Sequence, residues 1–489
     1  MGIDIGTHKV CTIVAEADAV PGSRINVLGV GAVASEGLFK GMVTDIVRAS
    51  KAVAHSLEAA ERQSGCRILS AYVSITGNHI SSTNNRGLVA VSNPDRIIGS
   101  DDVSRAIDAA RAIAMPVGRD ILHVIPRTYT VDGQDGIRNP IGLSGFRLDV
   151  ETHIVTCAGN VRENLVRCVQ QADVEVDDLV LSPLASAEAV LTEQEKNLGV
   201  VLVDIGHGTT DIAIYAEGSV WHTRVIPVGG WQLTNDLAVV FNIPYEAAEA
   251  LKLQYGRAVV PGTRPHPRPV AHSANGKSHP HPYHHSRPAT STLSPYAHAY
   301  NDVGAGAPYQ EPVSGGPASV GDHLYAYDSS TPFDPEDEVL EARSFTGEAV
   351  YIKRSDLNEV IAARLEQMFS LIGDEIRRSG YESLLPAGLV LTGGVASMAG
   401  IEPLAAHKLR MPVRIGRPLR IGGLGDAFDS PAYATGVGLI LWGLQQAGQV
   451  GPGGGPASGS MPVRGMRRNP LEQRPGSLLN WLKSFLPHD

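Results

Sequence analysis

Two stretches of the chain, GIDIGTHKVCTIV at residues 2–14 and LVDIGHGTTDIAIY at residues 202–215, share one pattern. Each predicts a strand, a tight glycine turn and a second strand, because β-branched residues alternate on both sides of the turn. The same offset of 200 relates three pairs of residues, which are Asp4 and Asp204, Gly6 and Gly206, and Gly29 and Gly229. We therefore interpret the chain as two similar halves, and two such halves suggest a cleft between them.

The composition is that of a globular protein with two to four domains. The chain has 489 residues, of which 43% are hydrophobic and 19% charged, and its net charge of −10 argues against a nucleic-acid partner. It has no apolar run long enough to span a bilayer, and its first ten residues lack the pattern of a secretory signal. Four widely spaced cysteines without a CxxC pair favour a reducing cytoplasm.

The two glycine turns have the composition of a phosphate-binding site. Glycine lets backbone N–H groups approach a polyphosphate closely, and Thr7 adds a hydroxyl donor beside Gly6. The second turn offers Gly206, Gly208, Thr209 and Thr210. Asp4 and Asp204, at the ends of facing strands, suit Mg²⁺, which prefers oxygen ligands and keeps several waters. One such turn alone would be read as an ordinary hairpin, but two turns followed by a third motif favour phosphate binding.

The third motif is GLVLTGGVASMAGI at residues 388–401, an apolar strand that ends in Gly393 and Gly394 before a helix. A pair of glycines allows a flat base or a ribose to lie against the backbone. Strand-Gly-Gly-helix turns are common connectors, so the motif gains its meaning from following the two phosphate turns.

The order of these motifs resembles the nucleotide-binding set of the actin superfamily, and most closely the FtsA family of bacterial cell-division proteins. GIDIGT and VDIGHGTTD resemble its two phosphate motifs, and LTGGVASMAG resembles its adenosine motif. LVLSPLASAEAVL and AYATGVGLILWG resemble its two connecting helices. Residues 123–157 resemble the subdomain that is inserted in this family. The resemblance covers the chain apart from residues 257–345 and 446–476.

The resemblance implies an α/β, duplicated actin-like (ribonuclease-H-like) fold with two lobes around a nucleotide cleft and an FtsA-type inserted subdomain. The expected parts are a first core lobe (1–68 and 158–197), the inserted subdomain (69–157), a second core lobe (198–227 and 381–445), a small lobe (228–380) that contains a Pro- and His-rich insert (261–335), a linker (446–476) and a terminal helix (477–489). Seven histidines between residues 266 and 298 raise the alternative of a metal site, but the proline content favours a disordered linker.

By the same resemblance, ATP would lie in the cleft with its phosphates between the two turns and Mg²⁺ near Asp4 and Asp204. Glu249 and Lys252 would flank the adenine and ribose, although an ordinary ion pair on a helix would look the same. His207 stands where the family usually has glycine, which suggests local pH sensitivity.

No catalytic residue is assigned. Relatives that hydrolyse ATP well place Gln or Glu near the position of Ser182 to orient the attacking water, so we predict at most a slow ATPase. An alignment shifted along the chain would offer Glu188 instead.

The chain ends in GSLLNWLKSFLPHD, which predicts a short amphipathic helix. Its apolar residues Leu478, Leu479, Trp481, Leu482, Phe485 and Leu486 fall on one side of a helical wheel, and Asn480, Lys483 and Ser484 fall on the other. Such a helix can lie in the membrane interface, and the linker arginines add about 1 kcal/mol each near anionic lipid. Docking of this helix on the protein's own body is the alternative, but the glycine-rich linker and the family's membrane-targeting helix favour the membrane.

The resemblance implies a peripheral protein on the cytoplasmic side of the cell membrane at the division septum. It would form filaments with itself, bind the C-terminal tail of FtsZ through the small lobe, and recruit later divisome proteins. Two alternatives stay open: a PilM-like pilus-assembly scaffold, and a sugar or acetate kinase of the same superfamily.

Overall fold

The computed structural model of the protein describes residues 1–17, 24–260, 337–419, 421–423 and 428–449. The strands are β1 (Gly2–Ile5), β2 (Lys9–Ala17), β3 (Ile25–Ala34), β4 (Leu38–Phe39), β5 (Met42–Val43), β6 (Ser70–Ile75), β7 (Ser81–Ala90), β8 (Arg119–Val131), β9 (Gln134–Ile137), β10 (Arg147–Ala158), β11 (Glu175–Leu181), β12 (Val200–Ile205), β13 (Thr210–Ala216), β14 (Ser219–Ile226), β15 (Val339–Arg343), β16 (Ala349–Lys353), β17 (Leu389–Thr392), β18 (Val413–Ile415) and β19 (Ile421–Gly423). The α-helices are α1 (Ile46–Ser64), α2 (Ser100–Arg111), α3 (Gly159–Gln170), α4 (Ser182–Val190), α5 (Glu193–Leu198), α6 (Gly230–Phe241), α7 (Tyr245–Tyr255), α8 (Arg354–Ser379), α9 (Ile401–Leu409) and α10 (Ala434–Gln449). All described residues belong to one compact unit.

Two sheets share five strands in an equivalent order, which confirms the predicted duplication. The second sheet runs β18-β17-β12-β13-β14, and the first runs β11-β6-β1-β2-β3 with β19 as a sixth strand at its edge. In each, three successive strands pair antiparallel, and the first of these three also pairs with a parallel strand on its other side. The carboxyl ends of β1 and β12 therefore lead into equivalent hairpins, one in each lobe.

Burial explains why the central strands carry almost continuous apolar sequence. All residues of β12 and β13 are buried, as expected for strands covered on both faces. β3 instead alternates between buried and more accessible positions, which is the pattern of a strand with one face on the core.

The inserted subdomain is a four-stranded antiparallel sheet, β7-β10-β8-β9, covered by α2. It begins later than predicted. The predicted bounds include strand β6, but β6 pairs with β1 and β11 in the first sheet, because Ala71, Val73 and Ile75 are buried in the apolar core of that lobe.

The inserted subdomain also contacts the second lobe through hydrogen bonds centred on the buried side chains of His153 and Thr223. The two ring nitrogens of His153 lie 2.7 Å from Asn84 Oδ1 and 2.9 Å from Thr223 Oγ1 on β14. Ser82 donates to the carbonyl oxygen of Thr223 at 2.8 Å. The subdomain is thus an insertion in one lobe that is hydrogen-bonded to the other.

The small lobe consists of α6, α7, α8 and the β15-β16 hairpin, and Phe369 of α8 is fully buried in its core. The predicted insert 261–335 lies outside the described residues, as does the terminal helix 477–489.

Helix α10 differs from the prediction in two ways. It was assigned to the second core lobe, but it packs on α4 and on β1, β2 and β6, since Val437 and Ile440 are buried with the apolar residues of the first lobe. Strand β19 likewise joins the first sheet.

Helix α10 also continues to Gln449, so the first four residues of the predicted linker are helical. Residues 450–476 lie outside the described part of the chain.

Candidate nucleotide cleft

The two glycine turns have the same backbone geometry. In the first, the N–H of Gly6 donates to the carbonyl oxygen of Lys9 at 3.0 Å. In the second, the N–H of Gly206 donates to the carbonyl oxygen of Thr209 at 2.9 Å. The turns are thus structural copies as well as sequence copies.

The tips of the two turns meet across the cleft. A Cβ atom added to Gly208 would lie 2.6 Å from the hydroxyl oxygen of Thr7, so no side chain fits at this position. The Thr7 hydroxyl also accepts a hydrogen bond from the N–H of Gly41 at 3.0 Å. One threonine therefore contacts the second lobe and the short β4-β5 hairpin at the same point.

Asp4 and Asp204 occupy equivalent positions on β1 and β12, and each is held by hydroxyl donors. Ser74 donates to Asp4 at 2.9 Å, while Ser186 and Thr435 donate to Asp204 at 2.6 and 3.2 Å. Burial raises the pKa of Asp4, and burial together with the charge of Asp4 raises the pKa of Asp204 to about 6. The two carboxylates repel one another, and a shared cation would relieve that repulsion.

A third carboxylate, Asp211, lies beside this pair and was not singled out from the sequence. It is opposite Asp204 in the β12-β13 register and accepts a hydrogen bond from Thr76 of the first lobe. Burial and the charge of Asp204 raise its pKa to about 8. Within the described ranges no group of three or more His, Cys, Asp or Glu could itself hold a metal ion. A bound Mg²⁺ would therefore need phosphate oxygens and waters besides Asp4 and Asp204.

The glycine pair after β17 leaves space for a ligand. Gly393 has a φ of 89°, and a Cβ atom there would lie 2.3 Å from Asp204 Oδ1, so glycine is required. A Cβ atom on Gly394 would meet no atom within 4 Å. Open space next to a backbone that approaches Asp204 fits the predicted position of a nucleoside.

Glu249 and Lys252 form part of a polar triad on α6 and α7. The ammonium of Lys252 donates to Glu249 at 2.7 Å and to Thr234 at 2.8 Å, and the Thr234 hydroxyl donates to Glu249. Lys252 is only 8% exposed, and burial lowers its pKa. The ion pair is present, as the alternative interpretation requires, but its burial is unlike that of an ordinary surface pair.

Three side chains considered for the site are engaged elsewhere. The Thr210 hydroxyl donates to the carbonyl oxygen of Val228, and the Ser182 hydroxyl donates to that of Ile75. Glu188 forms an ion pair with Lys196 at 2.9 Å. Thr209 is buried and lies 3.4 Å from Asp211, to which it donates.

Lys9 is a site residue that the sequence reasoning did not select, although it stands inside the first motif. Its ammonium donates to the carbonyl oxygen of Ala432 at 2.7 Å and lies 3.8 Å from the ring centroid of Tyr433. Lys9 thereby links the first glycine turn to the segment that begins α10.

A cavity of about 310 Å³ lies between the start of α9 and the segment 429–431. None of the predicted site residues lines it, so it is separate from the proposed phosphate position.

Comparison with known proteins decides the family. A family model described as "Cell division protein FtsA" matches residues 201–438, and one described as "SHS2 domain inserted in FTSA" matches residues 77–156. The cell division protein FtsA of Pseudomonas aeruginosa is 39% identical over 446 residues, which cover 91% of this chain and 89% of that protein. The protein of the same name from Escherichia coli is 33% identical over 453 residues, covering 91% and 90%.

The chain belongs to the FtsA family of cell division proteins. This confirms the resemblance, the actin-like fold class and the division role that were inferred from the motifs. The inserted-domain match also agrees with a subdomain that starts after β6. The FtsA fold implies nucleotide binding, and the geometry of the cleft fits it.

A solved structure, the PilM–PilN type IV pilus biogenesis complex, matches with a TM-score of 0.55 and 13% identity over 91% of this chain and 98% of that chain. This likeness shows a shared fold. The alternative of a PilM-like scaffold has far lower identity than the FtsA relatives, and the kinase alternative gains no support from the site.

Proposed function

We propose that this FtsA-family protein binds ATP and Mg²⁺ in the cleft, assembles into filaments, and tethers FtsZ to the cytoplasmic face of the cell membrane at the division septum. The observation that carries the nucleotide part is the contact between Thr7 and Gly208. It brings together two equivalent glycine turns, which follow the strands that carry Asp4 and Asp204.

Different residues of the cleft would bind different parts of the nucleotide. Backbone N–H groups at Thr7, Gly208 and Thr209 would bind the phosphates, because those of Gly6 and Gly206 are donated within the turns themselves. Asp4 and Asp204 would hold Mg²⁺ largely through waters, and Gly394 would border the nucleoside. Bound Mg²⁺ would supply positive charge between two carboxylates that burial makes costly to ionise.

Hydrolysis is proposed to be slow, so that ATP acts mainly as an assembly ligand. Ser182 is short, and its hydroxyl is already donated to Ile75. Glu188 forms an ion pair with Lys196, so it does not take the place of Ser182 in orienting the attacking water. Brisk single-turnover hydrolysis by the purified protein would contradict this proposal.

The membrane contact is proposed for the terminal segment 477–489, on the sequence pattern. No helix in the described part of the chain is long and apolar enough to cross a bilayer. A single short amphipathic helix binds lipid weakly, but many copies in a filament raise the effective concentration of the others. Membrane attachment and self-assembly would therefore support each other.

The small lobe is proposed to bind the FtsZ tail. Val239 and Val240 on α6 and Leu253 on α7 are 71%, 59% and 66% exposed, so apolar side chains are available there for a partner. Recruitment of later divisome proteins is proposed from the family alone.

The test is flotation of the full chain with vesicles that contain phosphatidylglycerol, with and without Mg·ATP and an FtsZ-tail peptide. We expect ATP-dependent co-flotation of protein and peptide, and loss of both when residues 477–489 are deleted. Leu482→Glu should release the protein, whereas Ser484→Glu adds the same charge on the polar side and should release much less. Binding that persists after the deletion would place the anchor elsewhere.

A further inference from the structure

Two histidines face one another across the cleft, one from each glycine turn. His8 follows Thr7 in the first turn, and His207 follows Gly206 in the second. Their ring centroids are 4.8 Å apart. His8 remains exposed and His207 is half-buried, so a ligand between the turns can reach both imidazoles.

The surroundings of the pair favour neutral rings. Partial loss of hydration lowers the pKa of His8, and the same effect together with repulsion from His8 lowers the pKa of His207 to about 4. The hydroxyl of Tyr245 on α7 lies 3.2 Å from His207 Nε2 and holds the ring in place. At pH 7, the pair therefore carries no charge in the absence of a ligand.

Charged groups approach the pair from three elements. Lys9 belongs to the first turn, Glu249 and Lys252 lie on α7, and the Cα of Lys40 in the β4-β5 turn is close to Gly208. The charges of Glu249 and Lys252 largely cancel at the pair because their side chains are bonded to each other. The ammonium of Lys9 is directed to the carbonyl oxygen of Ala432. A newly arrived anion would thus change the local potential strongly.

We propose that His8 and His207 take up a proton when a nucleoside polyphosphate enters the cleft, so that nucleotide affinity rises as the pH falls through the neutral range. This inference rests on the proposed nucleotide binding. Phosphate charges next to an imidazole stabilise its cationic form, and the short distance between the rings means that one proton is shared rather than two bound.

The direction and the magnitude of the pH dependence of nucleotide affinity follow from proton linkage. The bound state holds more protons than the free state wherever the pH is near or below the bound-state pKa of the pair. Binding of one extra proton strengthens affinity by at most about tenfold for each unit that the pH falls. The nucleotide titrates as well, so the contribution of the histidines is the difference between variants measured with the same nucleotide.

The experiment is calorimetry of Mg·ATP and Mg·ADP binding to the full chain between pH 6.5 and 8, in buffers that differ in ionisation enthalpy. The variants are His8→Asn, His207→Gln and the pair together, because glutamine can still accept from Tyr245. His407→Asn, at an exposed position on α9, is the matched control. We expect the wild type and the control to take up about half a proton more than the double variant near pH 7. Their affinity should also gain about three- to tenfold more than that of the double variant on going from pH 8 to 6.5.

The outcomes separate the two proposals. Equal proton uptake in the wild type and the double variant would overturn the histidine inference and leave nucleotide binding intact, whereas no binding by the wild type would overturn both. If the double variant does not fold, the C2–H resonances of His8 and His207 in the wild type, assigned with the single variants, report the same quantity. Their pKa values must rise when nucleotide is added.

Discussion

Gly208 lies against Thr7 so closely that a methyl group on Gly208 would be 2.6 Å from the threonine hydroxyl oxygen and 3.0 Å from the Cα of Lys40. This contact joins the tips of the two glycine turns, and backbone on one side leaves little freedom to adjust.

Gly208→Ala is therefore expected to separate the turns and weaken Mg·ATP binding by about tenfold or more, with a destabilisation of about 1–3 kcal/mol from overpacking. Gly394→Ala is the informative comparison, because the new methyl group would meet no protein atom. It should leave the unfolding midpoint unchanged and still lower nucleotide affinity, if the nucleoside occupies that space. Calorimetric titration and thermal unfolding of both variants measure the two effects, and unchanged affinity in Gly394→Ala would move the nucleoside elsewhere.

Asp204→Asn is expected to separate stability from ligand binding. Ionised Asp204 is costly in the free protein, since its pKa is raised to about 6, and removal of the charge should stabilise the chain by up to about 3 kcal/mol, at roughly 1.4 kcal/mol per pKa unit. The hydrogen bonds from Ser186 and Thr435 can be kept by the amide oxygen. Mg²⁺-dependent ATP affinity should fall by about 10- to 100-fold. A variant that is more stable and binds Mg·ATP as before would show that Asp204 is not near the cation.

Lys252→Met tests whether the polar triad serves the nucleotide or only the small lobe. The single change leaves the Glu249 carboxylate partly buried without its cation, which should cost about 1–3 kcal/mol of stability. The double variant Glu249→Gln, Lys252→Met removes both charges and should recover much of that loss. If these residues flank the nucleotide, ATP affinity stays low in the double variant. Full recovery of affinity would leave the pair a purely structural role.

The buried imidazole of His153 is expected to lower the free energy of unfolding as the pH becomes acidic. Asn84 Oδ1 can only accept, so Nδ1 of His153 carries the proton and Nε2 accepts from Thr223. Burial lowers the pKa of His153 to about 3, so the folded protein resists protonation while the unfolded chain protonates near 6.5. This contribution is complete above pH 6.5 and declines as the pH falls towards 3, by at most about 1.4 kcal/mol per pH unit. Unfolding midpoints measured from pH 7.5 to 4.5 should therefore fall less steeply for His153→Gln than for the wild type, with His407→Gln as the exposed control.

The repeated pattern around Asp4 and Asp204 was enough to predict the two lobes, because alternation and a glycine turn are local properties of the chain. The match of β1-β2-β3 to β12-β13-β14 follows directly from them. The third glycine motif follows an apolar strand, β17, as predicted, whereas its position beside Asp204 emerges only from the pairing of β17 with β12.

Long-range partners could not be read in the same way. The local sequence pattern of β6 fits the inserted subdomain as well as the first sheet, and that of α10 fits the second lobe as well as the first. Only their packing against β1 assigns both elements to the first lobe. Thr210 is predicted as a phosphate donor because it stands in the motif, but its hydroxyl donates a hydrogen bond to the carbonyl oxygen of Val228. Conversely, the hydroxyl groups that donate to Asp4 and Asp204 come from elements far away in the sequence, at Ser74, Ser186 and Thr435. No local sequence pattern identifies these three donors.

The network of Asn84, His153 and Thr223 has a mechanical consequence. The subdomain that carries His153 is covalently continuous with the first lobe, while Thr223 lies on the outer strand of the second. Movement of one lobe away from the other must either displace this subdomain as well or break these hydrogen bonds, of which the one between His153 and Thr223 is buried. The inserted subdomain therefore restrains separation of the two lobes.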